Sequence, residues 1–233
     1  MTTAMRAVED PQWPSQLGVD SVLRAQGADP ARIRLRSPRL VALAERALRE
    51  GMPLLAPALV SRRYTLLSRH HGNLRFRGGG GLSGRLVATE CATAEELIVM
   101  ALTIGAALET ATAKAMALDP GFGLALDGLG TAAVEALAAT EAGRIATIAT
   151  LTGSCAGPPL SPGMEGWPLQ LGQREVFRLL GECPHPIRLT ESGVMVPRKS
   201  LTLVIGLGPA MRSGACPCDF CSSRHRCRHR QAS

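Results

Sequence analysis

Apolar residues recur at helical spacing in several stretches of the chain. One predicted helix runs from about Ser37 to Arg49 and ends before Gly51 and Pro53. Another follows the Trp167-Pro168 pair. The apolar stripes of these two helices are Leu40, Leu43, Ala44, Ala47 and Leu48, and then Leu169, Gly172, Val176, Phe177 and Leu180.

The middle of the chain predicts two long adjacent helices. Thr93 and Glu96 form a capping-box pattern, which predicts a helix over Ala94–Met116. Asp119-Pro120 would end it, and the next helix would run from near Phe122 to about Thr150. A stripe of small residues on the second helix predicts a close helix–helix contact; its members are Ala125, Gly128, Ala132, Ala136 and Ala139.

Shorter apolar runs predict strands. These runs are Leu59–Leu67, Ile187–Val196 and Ser200–Leu207, and the last two would form a hairpin through Pro197-Arg198-Lys199. Gly78–Gly81 is interpreted as a turn between strands, because no phosphate-loop lysine or dinucleotide spacing follows it. Strands clustered around long Ala/Gly-rich helices predict an α+β fold in which the helices pack on a mixed or antiparallel sheet.

Two acidic residues lie on one face of the second long helix. Asp127 and Glu135 are eight residues apart, so their side chains project from nearly the same side. They are either a pair of solvated carboxylates or hydrogen-bonding partners of a polar ligand, and the sequence leaves both interpretations open.

The composition of the chain favours some kinds of binding partner and disfavours others. The formal net charge is +7, and nearly all of the positive charge is arginine. Such an excess fits a solvated surface or attraction to an acidic protein partner. Aromatic residues make up only 3% of the chain, which disfavours stacking platforms for single-stranded nucleic acid.

Three features predict a cytoplasmic protein without a membrane span. Met1–Gln16 has no apolar secretory core and is predicted to be a loose leader. Glu109 and Lys114 interrupt the apolar segment Leu97–Leu118. Four of the seven cysteines crowd at the C-terminus, a distribution unlike the framework of a secreted disulfide protein.

The C-terminal tail predicts a metal site. Cys216, Cys218, Cys221 and Cys227 give the spacing C-x-C-x2-C-x5-C, which suits tetrahedral zinc or an iron–sulfur cluster. Nearby histidines and arginines leave the metal identity open and add a weaker alternative, a zinc-tail nucleic-acid binder. The cysteines outside the tail are predicted to be small apolar residues; they are Cys91, Cys155 and Cys183.

The order of several short motifs resembles a known family. The motifs are Ser161-Pro162-Gly163, Gly166-Trp167-Pro168-Leu169, Leu189-Thr190-Glu191-Ser192 and Met195-Val196-Pro197-Arg198-Lys199-Ser200. Together they resemble the activation domain of cobalamin-dependent methionine synthase, and especially the free-standing proteins that consist of this domain alone. The resemblance covers residues 35–207, which leaves residues 1–34 as an N-terminal segment and residues 208–233 as the Cys/Arg-rich metal-binding tail.

The resemblance implies an S-adenosylmethionine site. It assigns cofactor contacts to residues matching the family motifs, namely Glu135, Ser161, Pro162, Gly163 and Met164. Within the motif Arg-x-x-Pro-Gly-Tyr, however, this chain has Pro159 in place of the arginine and Met164 in place of the tyrosine. Proline cannot hold a carboxylate as arginine does, so either another residue, Arg198 or Lys199, takes that role or S-adenosylmethionine binding is weakened or lost.

The resemblance also implies a function. The chain is expected to support the reductive reactivation of a cobalamin-dependent methionine synthase or a related corrinoid methyltransferase. The partner would carry the cobalamin, an electron donor would supply the electron, and S-adenosylmethionine would supply the methyl group. A second hypothesis is a non-catalytic docking module for a corrinoid protein that has lost S-adenosylmethionine binding.

Overall fold

The computed structural model of the chain describes residues 4–7, 13–181, 186–212, 214 and 217–221. Within these residues, seven strands form one sheet between two layers of helices, and two further strands form a small separate hairpin. The seven strands are β1 Ala4–Ala7, β2 Ala58–His70, β3 Asn73–Phe76, β4 Gly81–Ser83, β5 Glu96–Thr103, β6 Cys155–Ala156 and β9 Ser200–Gly208. The separate hairpin consists of β7 Arg188–Leu189 and β8 Met195–Val196.

Seven α-helices occur in the described residues. They are α1 Val19–Ala25, α2 Pro30–Arg36, α3 Pro38–Gly51, α4 Arg85–Glu90, α5 Ala107–Leu118, α6 Pro120–Leu151 and α7 Leu169–Leu180. Short 3-10 turns cover Trp13–Gln16, Met52–Leu54 and Pro217–Phe220. The predicted helices at 37–49, 122–150 and after Trp167 are therefore confirmed.

Every pairing in the sheet is antiparallel. The strand order is β4-β3-β2-β5-β9-β6, and β1 pairs with β2. The central strand β5 pairs along its whole length with β2 on one side and with β9 on the other. Long helices on an antiparallel sheet confirm the predicted α+β class.

The segment around β5 was predicted wrongly. The helix expected over Ala94–Met116 is instead a strand, Glu96–Thr103, followed by the shorter helix α5. Leu97, Val99 and Ala101 point into one core cluster, whereas Met100 and Leu102 point into the other. A strand buried on both faces is a continuous apolar run, which periodicity cannot distinguish from a buried helix. The hydroxyl of Thr93 caps no helix and donates to the Ala210 carbonyl at 2.9 Å.

The expected hairpin through Pro197-Arg198-Lys199 was also wrong in its pairing. Residues 188–196 fold back on themselves as β7 and β8, and the strand that follows, β9, joins the main sheet beside β5. The Pro-Arg-Lys segment therefore connects the small hairpin to the main sheet. This connection places Arg198 and Lys199 near the start of a central strand.

The N-terminal residues are part of the fold. Ala4–Ala7 pairs with Ala58–Ser61 of β2, and Trp13 is buried in the first core cluster. Val22 and Leu23 of α1 are fully buried against the same cluster. The prediction of a loose leader over Met1–Gln16 was therefore wrong for Ala4–Ala7 and Trp13, because backbone pairing and burial of the indole ring hold them on the fold.

The small residues of α6 permit a close helix contact, as predicted. Of the predicted stripe, Ala125, Gly128 and Ala132 are buried, Ala136 is half-buried and Ala139 is exposed. A Cβ at Gly128 would lie 3.0 Å from the Val22 carbonyl oxygen of α1.

Among the described helices, α6 alone is long and apolar enough to cross a membrane by length and composition. Most of its apolar stretch is buried inside the fold.

The Gly78–Gly81 run is the turn between β3 and β4, which confirms the predicted turn. Gly78, Gly79 and Gly80 all have positive φ angles, which glycine adopts without steric cost. The phosphate-loop alternative is not needed to explain these glycines.

Replacing Gly105 with alanine is expected to lower the free energy of unfolding by about 1–3 kcal/mol. Gly105 has φ +82°, and a Cβ there would lie 2.9 Å from the Ala56 Cβ. Gly143, in the interior of α6 with nothing within 4 Å of a Cβ, is the matched control. There the same change should raise stability by about 0.5–1 kcal/mol. Urea unfolding followed by circular dichroism measures both; equal effects would contradict the backbone argument.

Candidate functional site

The Pro162–Gly163 turn lies at the edge of the sheet. Leu160 and Val204 of β9 exchange two backbone hydrogen bonds, of 2.9 and 2.8 Å. The chain then reverses at Gly163, whose φ is +97°. The Gly163 N–H donates to the Trp167 carbonyl at 2.8 Å. The turn is thus held between strand β9 and a buried tryptophan.

The turn carries no charge of its own. Met164 is half-buried against the second core cluster, and its sulfur accepts a hydrogen bond from the Ser161 N–H at 3.3 Å. Pro159 is half-buried and has no polar side chain. From Pro159 to Met164 no side chain can ionise, so the backbone of the motif is present without the groups that would hold a charged ligand.

A cavity of about 620 Å³ lies between α5, α6 and the Pro-Arg-Lys segment. Its apolar wall consists of Leu108, Ala113, Met116 and Leu124. Its polar wall consists of Glu109, Thr112, Asp127, Arg198 and Lys199. A largely apolar cavity with a few convergent polar groups is the usual form of a small-molecule site.

Lys199 makes three polar contacts with the helices beside the cavity, two through its ammonium group and one through its backbone N–H. Its ammonium lies 2.8 Å from Asp127 Oδ1 and 2.8 Å from Thr131 Oγ1, both on α6. Its backbone N–H donates to Glu109 Oε1 of α5 at 2.8 Å. Of the two cations that the sequence offered for the role of the missing motif arginine, Lys199 is therefore already paired with a carboxylate.

Among the described residues, Arg198 and Glu109 are the charged groups of the cavity wall that form no ion pair. Arg198 is exposed and forms no ion pair with any described residue. Glu109 is half-buried, and its carboxylate accepts the Lys199 N–H but meets no cationic side chain in the described part of the chain. One cation and one anion thus remain available to a ligand with charges of both signs.

Glu135 lies on the same face of α6 as the cavity. Asp127, Thr131 and Glu135 follow each other at intervals of four residues, so they lie along one side of the helix. Glu135 is exposed. Neither Glu135 nor the turn residues 161–164 belong to the cavity wall. Their predicted contacts with a cofactor stay predictions.

The described part of the cysteine tail packs beside the Pro-Gly turn. The Glu165 N–H donates to the Phe220 carbonyl at 3.0 Å, and Phe220 packs against the second core cluster. Cys218 and Cys221 lie in this segment, where the Cys221 N–H donates to the Cys218 carbonyl at 3.3 Å. Cys216 and Cys227 lie outside the described residues. Within the described ones, no three His, Cys, Asp or Glu side chains meet in a metal-binding group.

Cys91 is an apolar filler, as predicted. It is 1% exposed, and burial raises the pKa of its thiol to about 12, with the nearby Glu90 charge adding to the rise. A thiol with so high a pKa is inert at neutral pH, because the thiolate is the reactive form. Cys155 is half-buried in β6, and Cys183 lies outside the described residues.

Sequence reasoning missed the cavity for an identifiable reason. Glu109 was assigned to a helix that began thirteen residues too early, so its position opposite α6 was not apparent. The spacing of Asp127, Thr131 and Glu135 was the available signal. It showed a polar face on α6 but not the lysine that this face binds.

The fold belongs to the α+β class, with an antiparallel sheet covered by helices on both faces. A solved structure with this fold is the crystal structure of the MetH reactivation domain bound to AdoHcy. The two have a TM-score of 0.68 at 14% sequence identity, over 92% of this chain and 81% of that chain. No family model matches the sequence, and the search of curated proteins found no match. The resemblance inferred from the motifs is therefore confirmed as a similarity of fold.

Proposed function

We propose that this chain supports the reductive reactivation of a cobalamin-dependent methionine synthase, or of a related corrinoid methyltransferase, by binding S-adenosylmethionine. The observation that carries the proposal is the similarity of fold, over 92% of the chain, to a reactivation domain solved with AdoHcy. AdoHcy is S-adenosylhomocysteine, which is S-adenosylmethionine without its methyl group. A cytoplasmic location is part of the proposal.

The partner's cobalamin would supply the methyl acceptor. One electron from a donor protein would reduce its cobalt from Co(II) to Co(I), and Co(I) would take the methyl group from the sulfonium, leaving S-adenosylhomocysteine. The role of this chain would be to hold the methyl donor and to exclude water from it.

The α5–α6 cavity suits the amino-acid end of that ligand. A free amino acid carries a carboxylate and an ammonium on one carbon, and the cavity wall offers Arg198 and Glu109, neither of which forms an ion pair within the described residues. We assign the carboxylate to Arg198, because Lys199 is already paired with Asp127. The apolar wall of Leu108, Met116 and Leu124 would receive the adenine.

Two further predicted contacts lie outside the wall of this cavity. Glu135 lies one helical turn beyond Thr131, and its carboxylate would accept a hydrogen bond from a ribose hydroxyl. The predicted contacts of the turn residues Ser161–Met164 remain part of the proposal, and they would be made through backbone groups since the turn has no ionisable side chain.

Two measurements test the proposal. Calorimetry should show saturable binding of S-adenosylmethionine and of S-adenosylhomocysteine. Addition of the chain to a cob(II)alamin-loaded methionine synthase, with a one-electron donor and S-adenosylmethionine, should produce the visible spectrum of methylcobalamin. Absence of binding at millimolar ligand would contradict the proposal.

The second candidate is a docking module for a corrinoid protein without S-adenosylmethionine chemistry. It is favoured by one observation, the loss of the motif arginine and tyrosine at Pro159 and Met164. The two candidates differ in calorimetry, since the docking module would bind the corrinoid protein and give no heat with S-adenosylmethionine.

The cysteine tail would hold zinc or an iron–sulfur cluster through Cys216, Cys218, Cys221 and Cys227. Support comes from the four-cysteine spacing and from the contact between Phe220 and Glu165, which places Cys218 and Cys221 near the Pro-Gly turn. A cluster at this place could pass the electron to the partner, whereas zinc could only hold the tail in position.

Anaerobic purification is expected to yield metal in the chain, and the double variant C218S/C221S should lose most of it. Cys155→Ser is the matched control, because Cys155 lies in β6, outside the tail. Metal analysis and the visible spectrum measure the outcome. Equal metal content in both variants would contradict the tail site, and a colourless zinc protein would contradict its role in electron transfer.

A further inference from the structure

A second polar cavity, of about 290 Å³, lies at the β2–β3 turn, where it faces α4. Its polar wall consists of Arg69, His70, His71, Asn73, Arg85 and Thr89. None of the residues that line it is acidic. In this respect it differs from the α5–α6 cavity, whose wall contains two carboxylates and two cations.

Arg69 and Arg85 are the arginines of this wall, and Arg85 also borders a neighbouring cavity lined by Glu90, Glu165 and Asp219. Neither Arg69 nor Arg85 forms an ion pair with a carboxylate in the described part of the chain, whereas Arg34, Arg46 and Arg63 on the same protein do. Two guanidinium groups that line one concave surface without a counter-charge attract an anion more strongly than either would alone.

The turn fixes two imidazole rings beside the arginines. The Nδ1 atoms of His70 and His71 lie 2.6 Å apart, so the N–H of one ring donates a hydrogen bond to the other ring. The Asn73 amide holds the backbone of the turn, donating to the His70 carbonyl at 3.3 Å and to the His71 carbonyl at 3.1 Å. The ring whose Nδ1 accepts carries its own proton on Nε2, so at least one imidazole N–H remains for a ligand of the cavity that both histidines line.

We propose that this cavity binds the phosphate group of a small ligand. Guanidinium groups donate in a planar fork that matches phosphate oxygens, and imidazole N–H groups add further donors. A metal cation is disfavoured here, because two arginines would repel it. The volume of about 290 Å³ exceeds what one phosphate fills, which leaves room for an attached nucleoside. The site is independent of the proposed S-adenosylmethionine site and shares none of its wall residues.

Proton NMR of the imidazole C2–H resonances tests the proposal, because the chain has only five histidines. Inorganic phosphate, titrated against sodium chloride of the same ionic strength, should give saturable shifts of the two resonances that disappear in H70Q and H71Q. Arg69→Gln and Arg85→Gln should each weaken phosphate binding by about tenfold, the effect of losing one charge-assisted contact. Arg77→Gln, beside the glycine turn, is the matched control and should leave binding unchanged.

The source of the phosphate follows from a second titration with adenosine monophosphate. Tighter binding than inorganic phosphate would identify a nucleotide ligand, and equal or weaker binding would identify free phosphate. Two results would overturn the site. One is a parallel shift of all five histidines, or an equal effect of chloride, which would indicate general ionic attraction. The other is equal phosphate affinity in R69Q, R85Q and R77Q.

Discussion

Replacing Trp167 with alanine is expected to lower the free energy of unfolding by about 3–5 kcal/mol. Trp167 is 1% exposed and is the largest fully buried side chain among the described residues. Two glycines pack directly against the indole ring. A Cβ at Gly84 would lie 2.6 Å from Cδ1 of Trp167, and a Cβ at Gly172 would lie 2.7 Å from its Nε1. Backbone that close to the ring cannot easily collapse into the space that alanine leaves.

Trp167→Phe is the matched variant. The indole Nε1 is buried and forms no hydrogen bond within the described structure, so phenylalanine removes volume but breaks no hydrogen bond. A loss of roughly 1–2 kcal/mol is expected. Chemical unfolding followed by circular dichroism compares the two. A loss below about 1 kcal/mol for Trp167→Ala would show that the ring does not anchor the fold.

The alanine variant should also loosen the Pro-Gly turn. The Trp167 carbonyl accepts the Gly163 N–H, and the Trp167 N–H donates to the Met164 carbonyl at 2.9 Å. These bonds persist only while the tryptophan backbone keeps its place. Hydrogen exchange at the Gly163 amide should therefore become faster in Trp167→Ala than in Trp167→Phe.

Replacing Arg198 with glutamine is expected to weaken S-adenosylmethionine binding by about tenfold or more, the effect of losing a charged hydrogen-bond donor to a carboxylate. Arg198 is exposed and lacks an ion pair among the described residues, so stability should hardly change. Arg178→Gln, an exposed position on α7, is the matched control and should bind as the parent chain does. Calorimetry measures all three proteins.

A ligand variant makes this test specific for the carboxylate. Decarboxylated S-adenosylmethionine cannot use an arginine anchor, so Arg198→Gln should leave its affinity unchanged. The comparison is a double-mutant cycle between protein and ligand, and it isolates one pairwise contact. If Arg198→Gln weakened both ligands equally, the arginine would act on the shape of the cavity and not on the carboxylate.

Sequence patterns predicted the elements that have one buried face. The helices α3 and α7 each alternate buried and exposed positions, and each was found where it was predicted. The same patterns failed for β5, whose two faces are both buried. They also failed for Ala4–Ala7, because an edge pairing depends on a distant strand and leaves no local signal.

Part of the candidate site could also be predicted from the sequence, and part could not. The motifs around Pro162–Gly163 predicted a fold similar to the MetH reactivation domain, and Asp127 and Glu135 predicted a polar face on α6. Whether Arg198 or Lys199 is available to a ligand could not be deduced from the sequence. That depended on which of them reaches Asp127.

By itself, the sequence determined the α+β class, the small-residue contact face of α6 and the turns at Gly78–Gly81 and Gly163. Each of these features depends on residues that are close together in the chain. Tertiary structure alone decided which charges meet. Lys199 reaches Thr131, 68 residues earlier in the chain, only because β9 pairs with β5 and α6 packs over the first core cluster. Those long-range contacts pair one cation of the Pro-Arg-Lys segment and leave the other, Arg198, exposed at the cavity.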